Sequence, residues 1–391
     1  MVVFHFKILK TKNRQQNEFI NIRIMKKIIL SVTILILVIS CQSTKKEKES
    51  VETGQLTSET VSTEDDFFSE KGRIVTAATY PTDETSRQIL KNQDLVGVNA
   101  FMHKRKLTPT DQQPVVRMNR DTYYSLAVVN VSNGASITMP EIPEGKYMSV
   151  QPITQDHRTQ AMKYGSGKFD LTTHKGTHLY LIVRLDRTFT EAEVKEIQDK
   201  MVIEADSNEK FTTNPVNERS FKEVENELKV KAGPLRKRYG LQTAQGMFTN
   251  PHDKSAELFN NEKYEVGAAL GWGGAQIIDA IYEGSRNFSV DSCYQMTFED
   301  PENKAFWSVT VYDKKGFMFN DLANFSSHTA QMNEDGTYTI SFGCGKDAPN
   351  NLEIVNPSGV FNIVVRHFQP SEKVHKEDYR IVPLMKVVSN E

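Results

Sequence analysis

Residues 115–127 read VVRMNRDTYYSLA, and the reading of this stretch decides what kind of chain it is. From Tyr123 apolar and polar residues alternate through SLAVVNV, the period of a half-buried strand. Val115–Met118 and Tyr123–Val131 are expected as strands. Arg117, Asn119 and Asp121 sit two apart, so an extended backbone would point them to one face. Asn133-Gly134 then follows as a hairpin-type turn.

Short alternating runs continue at 135–139, 146–153 and 178–185, punctuated by Pro-Glu-Gly and Gly-Ser-Gly. Upstream, residues 82–105 carry partial helical spacing behind a cap at Thr82 or Asp83. Thr190 and Glu193 form a capping box that opens a helix to about Glu204. Residues 217–231 place Phe221, Val224 and Leu228 on one helical face and stop at Gly233-Pro234, and a third helix is expected within 254–269. A second β region follows at 294–298, 305–312, 337–342 and 360–368. The fold class is α+β, predominantly β, with short-spaced strands of the sandwich or jelly-roll kind.

The 391 residues suffice for two domains of ordinary size, and 38% hydrophobic with 25% charged residues is a globular composition. Residues 1–40 carry a net +6 within a chain of −2, which leaves −8 for the rest. An acidic body excludes a nucleic-acid partner, which needs a basic face.

The N-terminus reads as an address. Met25, Lys26 and Lys27 precede an apolar run at 28–39 of secretory length, too short to span a bilayer comfortably. It ends in Val38-Ile39-Ser40-Cys41, which resembles a bacterial lipobox with Val38 where leucine is usual. The expectation is an extension from an upstream start at 1–24, a lipoprotein signal peptide at 25–40 and lipidation of Cys41. A disordered polar tether spans 41–70. The protein would then be held on the membrane of the bacterial cell envelope, the outer one if the cell has two. In that oxidising compartment Cys293 and Cys344 either bridge or sit as separate buried thiols.

With these stretches in view, VVRMNRDTYYSLAVVNVS followed by PEGKYMSVQPITQD resembles the domain of unknown function 1254. GAALGWGGAQIIDAIY, AFWSVTVYDKKGF, NEDGTYTISFG and FNIVVRHFQP resemble its companion, the domain of unknown function 1214. The resemblance implies an N-terminal β-barrel-like domain at 71–189, a helical connector at 190–289 and a C-terminal jelly-roll-like β-sandwich at 290–391. Three departures are Met118-Asn119 for Pro-Asn, Arg120 for Asn, and 351–354 (NLEI) for Asn-Trp-Leu-Pro, the last of which implies a different ligand if that segment lines the pocket.

Candidate chemistry rests on few residues. Arg117, Asn119 and Asp121 form either a polar cluster at a pocket mouth, with Asp121 as general base or as partner of Arg117, or a structural pair at a strand entry. Asp156 and His157 suggest acid–base work, although adjacent residues rarely face each other. Tyr124, Trp272, Asp279, Tyr282 and Arg366 are ligand-binding candidates, with Trp272 as lid or wall among the glycines of 267–274. Asp279 and Tyr282 are singled out by the family's Asp-Ala-x-Tyr pattern. A buried Arg366 must be paired. His174 and His178 flank a turn, with no acidic third ligand near in sequence, so no metal is expected; no cofactor is implied either. The function reads as a cleft for a small organic molecule, serving a hydrolase- or lyase-type enzyme or a non-catalytic binding protein. Assembly as a homo-oligomer is left open.

Overall fold

Hydrogen-bonding register, rather than local pattern, decides how these strands assemble. The computed structural model describes residues 59–113, 116–376 and 379–388. The expected signal peptide and Cys41 lie outside the described residues. The first part of the body contains β1 (Phe68–Arg73), α1 (Tyr80–Val96), β2 (Phe101–Lys104), β3 (Thr122–Asn130), β4 (Ala135–Met139), β5 (Met148–Thr154), β6 (Lys163–Tyr164), β7 (Gly167–Asp170) and β8 (His178–Asp186). Then come α2 (Glu191–Asp199), β9 (Val202–Ala205), α3 (Glu218–Tyr239) and α4 (Asn261–Gly271). The last part contains β10 (Ala280–Gly284), β11 (Phe288–Ser289), β12 (Cys293–Glu299), β13 (Phe306–Asp313), β14 (Asn324–Ser326), β15 (Thr337–Phe342), β16 (Asn351–Leu352), β17 (Val360–Phe368), α5 (Glu372–His375) and β18 (Lys386–Val388). The class is α+β with antiparallel sheets predominating.

The N-terminal strands do not close into a barrel. They form an open sheet in the order β2-β3-β8-β5-β6 and a separate sheet β7-β4-β9. The reason lies at Asn133-Gly134: instead of making a hairpin, the chain leaves the first sheet, and β4 pairs with β7 and β9. The two sheets pack through Tyr123, Ala127, Val129, Ile137 and Met139, with Val194 and Ile197 of α2. The opposite face of the first sheet, with Val128, Ile153 and Tyr180, packs against Ile89 and Leu90 of α1, Leu228 of α3 and Val266 of α4. With both faces covered, β5 and β8 are buried along their whole length.

Several expected elements shift. Residues 116–118 are not strand: they form a turn, and Arg117 takes φ +58°. The capping box at Thr190 and Glu193 is present, but its helix ends at Asp199 because 202–205 are taken into β9. Helix α3 begins at the Asn217 cap and runs through Pro234 to Tyr239. Proline removes a backbone donor there, yet Leu235 in the next position is wholly buried in the core. The body also begins earlier than the polar composition of 41–70 suggests. Val61 bridges to Thr213, and the Phe67 side chain is fully buried, a burial that contributes about 2 kcal/mol.

The segment 190–289 is only partly a helical connector, since β10 and β11 both pair with β17. The C-terminal sheets run β10-β17-β13-β14 and β16-β15-β12-β18. They enclose one core of Trp307, Val309, Val311, Ile340, Phe342, Phe361, Ile363 and Val365. Cys293 and Cys344 are bridged, with their Cα atoms 4.7 Å apart.

Candidate functional site

Strand period gives β13 and β17 a second face. Trp307, Val309 and Val311 point into the C-terminal core, so Ser308, Thr310 and Tyr312 point out of it. Cross-strand register adds Arg366 and Tyr282 beside Ser308, and Asn324 beside Thr310. This outer face is polar yet buried: Ser308, Thr310 and Tyr312 are 0% exposed and Arg366 4%. Polar groups in such a place must be hydrogen-bonded, and the partners come from the segment 117–121.

Arg117 donates its backbone N–H to the Gly316 carbonyl at 2.8 Å. Its guanidinium donates to Asn362 Oδ1 and lies 5.4 Å from the centre of the Tyr312 ring. Its carbonyl accepts from Arg366 Nη2 at 2.8 Å. The same guanidinium of Arg366 reaches Thr310 Oγ1 at 3.0 Å and the Tyr312 hydroxyl at 2.7 Å. Tyr312 in turn donates to the Met118 carbonyl at 2.8 Å. Burial works against the charge of Arg366, but Tyr312 and Asp121 hold its pKa above the ordinary arginine value. Arg117 moves the other way, its pKa lowered by burial.

Asp121 is 0% exposed and both of its oxygens are taken, one by Ser308 Oγ at 2.6 Å and the other by Asn324 Nδ2. Asn119 turns back to accept the Asp121 backbone N–H. Arg117, Asn119 and Asp121 therefore do not share one strand face, and Asp121 pairs with the C-terminal sheet rather than with Arg117. The positive φ at Arg117 breaks the period on which that expectation rested.

A second group of polar and aromatic side chains adjoins this network. Tyr124 and Arg184 are cross-strand neighbours on β3 and β8. Arg184 is 7% exposed; its Nη1 donates to Gln151 Oε1 at 2.6 Å, and its guanidinium lies 5.7 Å from the Tyr124 ring centre. Burial opposes the Arg184 charge, but the surrounding Tyr124, Tyr147 and Tyr282 leave its pKa raised. Tyr282 is close enough to feel both Arg184 and Arg366, and burial raises its own pKa. Among the described residues no group hydrogen-bonds to the Tyr282 hydroxyl, and Tyr124 and Tyr282 both keep part of their surface accessible. Asp279 accepts from the Tyr164 hydroxyl at 2.7 Å and the Met162 N–H at 3.1 Å; its carboxyl pKa is raised by burial.

Asp156, His157 and Trp272 lie elsewhere, at the far end of β5. His157 is 0% exposed and takes φ +56°. Its Nε2 accepts the Gly273 N–H at 3.0 Å, and its ring stacks 5.9 Å from Trp272. Burial pushes its pKa down to about 3, with Arg158 acting in the same direction and Asp156 against it, so the imidazole is neutral. Trp272 donates to Thr85 Oγ1 at 2.9 Å and packs on the first core. Asp156 faces away from His157 and meets His174 Nε2 at 3.0 Å. His178 turns to the Glu209 carbonyl, so the two histidines of HKGTH do not converge. Among the described residues no group of three metal-ligating side chains is placed to hold a metal.

Sequence reasoning left Arg184 and the outward residues Ser308, Thr310 and Asn324 unnamed as site residues. For Ser308 and Thr310 a signal existed, in the polar half of the AFWSVTVYD alternation. Arg184 sits in the apolar run HLYLIVRLD with nothing to set it apart.

Comparison with known proteins agrees with this layout. Residues 98–212 match the family described as protein of unknown function (DUF1254), and residues 280–372 match protein of unknown function (DUF1214). No curated protein matches. The crystal structure of the VPA0106 protein from Vibrio parahaemolyticus is similar, with 18% identity and a TM-score of 0.57 over 80% of this chain and 98% of that one. A putative uncharacterised protein from Burkholderia cenocepacia has 13% identity and a TM-score of 0.48 over 80% and 87%. At 18% identity the likeness to the Vibrio protein concerns the fold alone. The polar segment 117–121 falls inside the first match and its partners on β13, β14 and β17 inside the second, and the chain belongs to the family that joins DUF1254 to DUF1214.

Proposed function

We propose that the protein is a lipid-anchored cell-envelope protein that binds a small organic molecule, with an anionic group and an aromatic or apolar body, in the recess bordered by Tyr124, Arg184 and Tyr282. The observation that carries this reading is the Tyr282 hydroxyl, which has no hydrogen-bond partner among the described residues and lies within electrostatic reach of two buried guanidiniums. The buried guanidiniums here are Arg184 and Arg366, while Arg117 is exposed and also has Asp313 beside it. A carboxylate or similar anion would accept from the Tyr282 hydroxyl and meet the field of the two buried guanidiniums. The phenol rings would cover the body of the ligand. Binding is favoured over hydrolysis or lyase chemistry because Asp121, the expected base, has both oxygens committed and no exposure. The envelope anchor rests on the order Met25, Lys26, Lys27, apolar run and Cys41.

The test is mass spectrometry of a metabolite extract incubated with the detergent-solubilised full chain. An acidic compound retained unchanged by the native protein, and released by Arg184→Met, supports the reading. A compound consumed with a new product mass overturns it in favour of an enzyme. Palmitate labelling of the native chain and of Cys41→Ser tests the anchor separately.

A further inference from the structure

Away from the recess, the start of β6, the loop before β8 and the loop before α4 meet around an open pocket of about 360 Å³. That size lies in the ordinary range for small-molecule sites. The ionisable side chains in its wall are Lys163, His174, His252 and Asp253, joined by the amides of Gln160 and Asn250.

Lys163 and Asp253 are the lysine and the carboxylate of this wall, set against each other. Asp253 is already engaged: one oxygen accepts the Ser255 N–H at 2.8 Å, and the other accepts Gln276 Nε2 at 2.9 Å. His174 is held by Asp156, whose second oxygen accepts from Thr154 Oγ1 at 2.6 Å. The His252 ring stands 5.4 Å from the His174 ring, centre to centre. Both His252 and Lys163 are exposed, and among the described residues neither the imidazole of His252 nor the ammonium of Lys163 has a hydrogen-bond partner.

A wall with donors and acceptors interleaved, its lysine set against its aspartate, offers little to an ion. It suits groups that donate and accept at once, and the hydroxyl is that group. The two imidazoles, tilted 56° to each other, offer ring faces to the C–H side of a sugar ring. We infer that this pocket is a second binding site, for a neutral polyhydroxylated molecule of monosaccharide size. His252 and Lys163 supply the free hydrogen-bonding groups, and His174 is kept in place by Asp156.

Saturation-transfer NMR on the detergent-solubilised full chain tests this, with D-glucose, D-galactose, N-acetyl-D-glucosamine and myo-inositol as probes. The expected result is transfer to at least one of them. Its affinity should fall tenfold or more in the double variant Lys163→Ala/His252→Ala and stay unchanged in Arg184→Met. Both residues of the double variant are exposed, so the fold is kept, which circular dichroism verifies. No transfer to any probe, or equal affinity in the double variant, overturns the proposal. So does binding of succinate or inorganic phosphate in this pocket in place of the sugars.

Discussion

Gln151 ties Arg184 to the glycine turn after α4. Its Oε1 accepts from Arg184 Nη1 at 2.6 Å, while its Nε2 donates to the carbonyls of Gly273 and Gly274, each at 3.0 Å. One buried amide thus fixes a recess guanidinium and a loop at the same time. Gln151→Leu would leave the Arg184 guanidinium without its closest partner and two buried carbonyls unsatisfied. Each orphaned group costs about 1–3 kcal/mol. The expected outcome is a loss of several kcal/mol in urea unfolding. Affinity for a retained anion should also fall, and it should fall in Gln151→Glu too, because the new carboxylate competes with the anion for Arg184 and sets an acceptor against the two carbonyls.

Asp121→Asn should act on stability before it acts on any ligand. The carboxylate accepts from Ser308 and Asn324, and it is one of the groups that hold the Arg366 charge. An amide there would turn a donor toward a donor or leave one oxygen's partner unmet. A loss of about 2 kcal/mol is expected, measured by chemical denaturation. A variant with native stability but no ligand affinity would show that Asp121 contacts the ligand directly.

Much of the architecture was legible where the cause is local. The capping box at Thr190 and Glu193 and the alternation around Trp307 depend on neighbours in sequence. What was not legible depends on partners far away. The transfer of β4 to a second sheet is fixed by pairing with 167–170 and 202–205, and no feature of the Asn133-Gly134 turn announces it. Residues 59–70 look like tether because they are polar, yet Phe67 and Phe68 both pack edge-on against Phe221 of α3, far downstream in the chain. At the site, the polar residues of 117–121 stood out by type. Their true partners, Ser308, Asn324 and Arg366, come from the other sheet system, and a period argument within one strand cannot name them.

Acid should unfold the protein partly through His157. Its folded pKa of about 3 lies below the ordinary unfolded value near 6.5. Between those values the unfolded chain binds a proton that the folded chain refuses. Stability is therefore full above about pH 6.5 and falls as pH drops toward 3, by up to about 1.4 kcal/mol per pH unit from this group. His103, with its pKa lowered to about 4 by burial and by Arg105, contributes in the same direction. His157→Asn tolerates the positive φ and removes the titration. Urea midpoints from pH 7 to 4 should slope less steeply in the variant, although its stability at pH 7 is lower for want of the Gly273 bond.

Reduction of Cys293–Cys344 should lower stability without disturbing the N-terminal sheets. The bridge closes a loop with a sequence separation of 51, for which loop-closure entropy gives about 4 kcal/mol as the upper end of the usual range. Cys293 lies on β12, between β15 and β18, so its loss loosens the outer sheet of the C-terminal pair. The double variant Cys293→Ala/Cys344→Ala should unfold at a lower temperature than the oxidised protein and at the same temperature with or without reductant.

Gly274→Ala gives the sharpest test of the turn that Gln151 holds. A Cβ at this position would come within 2.2 Å of the Phe248 ring, and at Gly273, where φ is +76°, within 3.0 Å of Ile182. A displaced Phe248 ring loses its edge contact with His157, whose Nε2 accepts the Gly273 N–H. Overpacking of this kind costs about 1–3 kcal/mol. The disturbance also passes to Arg184, because the carbonyls that orient Gln151 belong to the same two glycines. Gly274→Ala should therefore weaken binding in the recess as well as stability, while Gly271→Ala, which meets no atom within 4 Å, should leave both unchanged. Equal ligand affinity in the two variants, measured by calorimetry at a temperature where both are folded, would uncouple the turn from the recess.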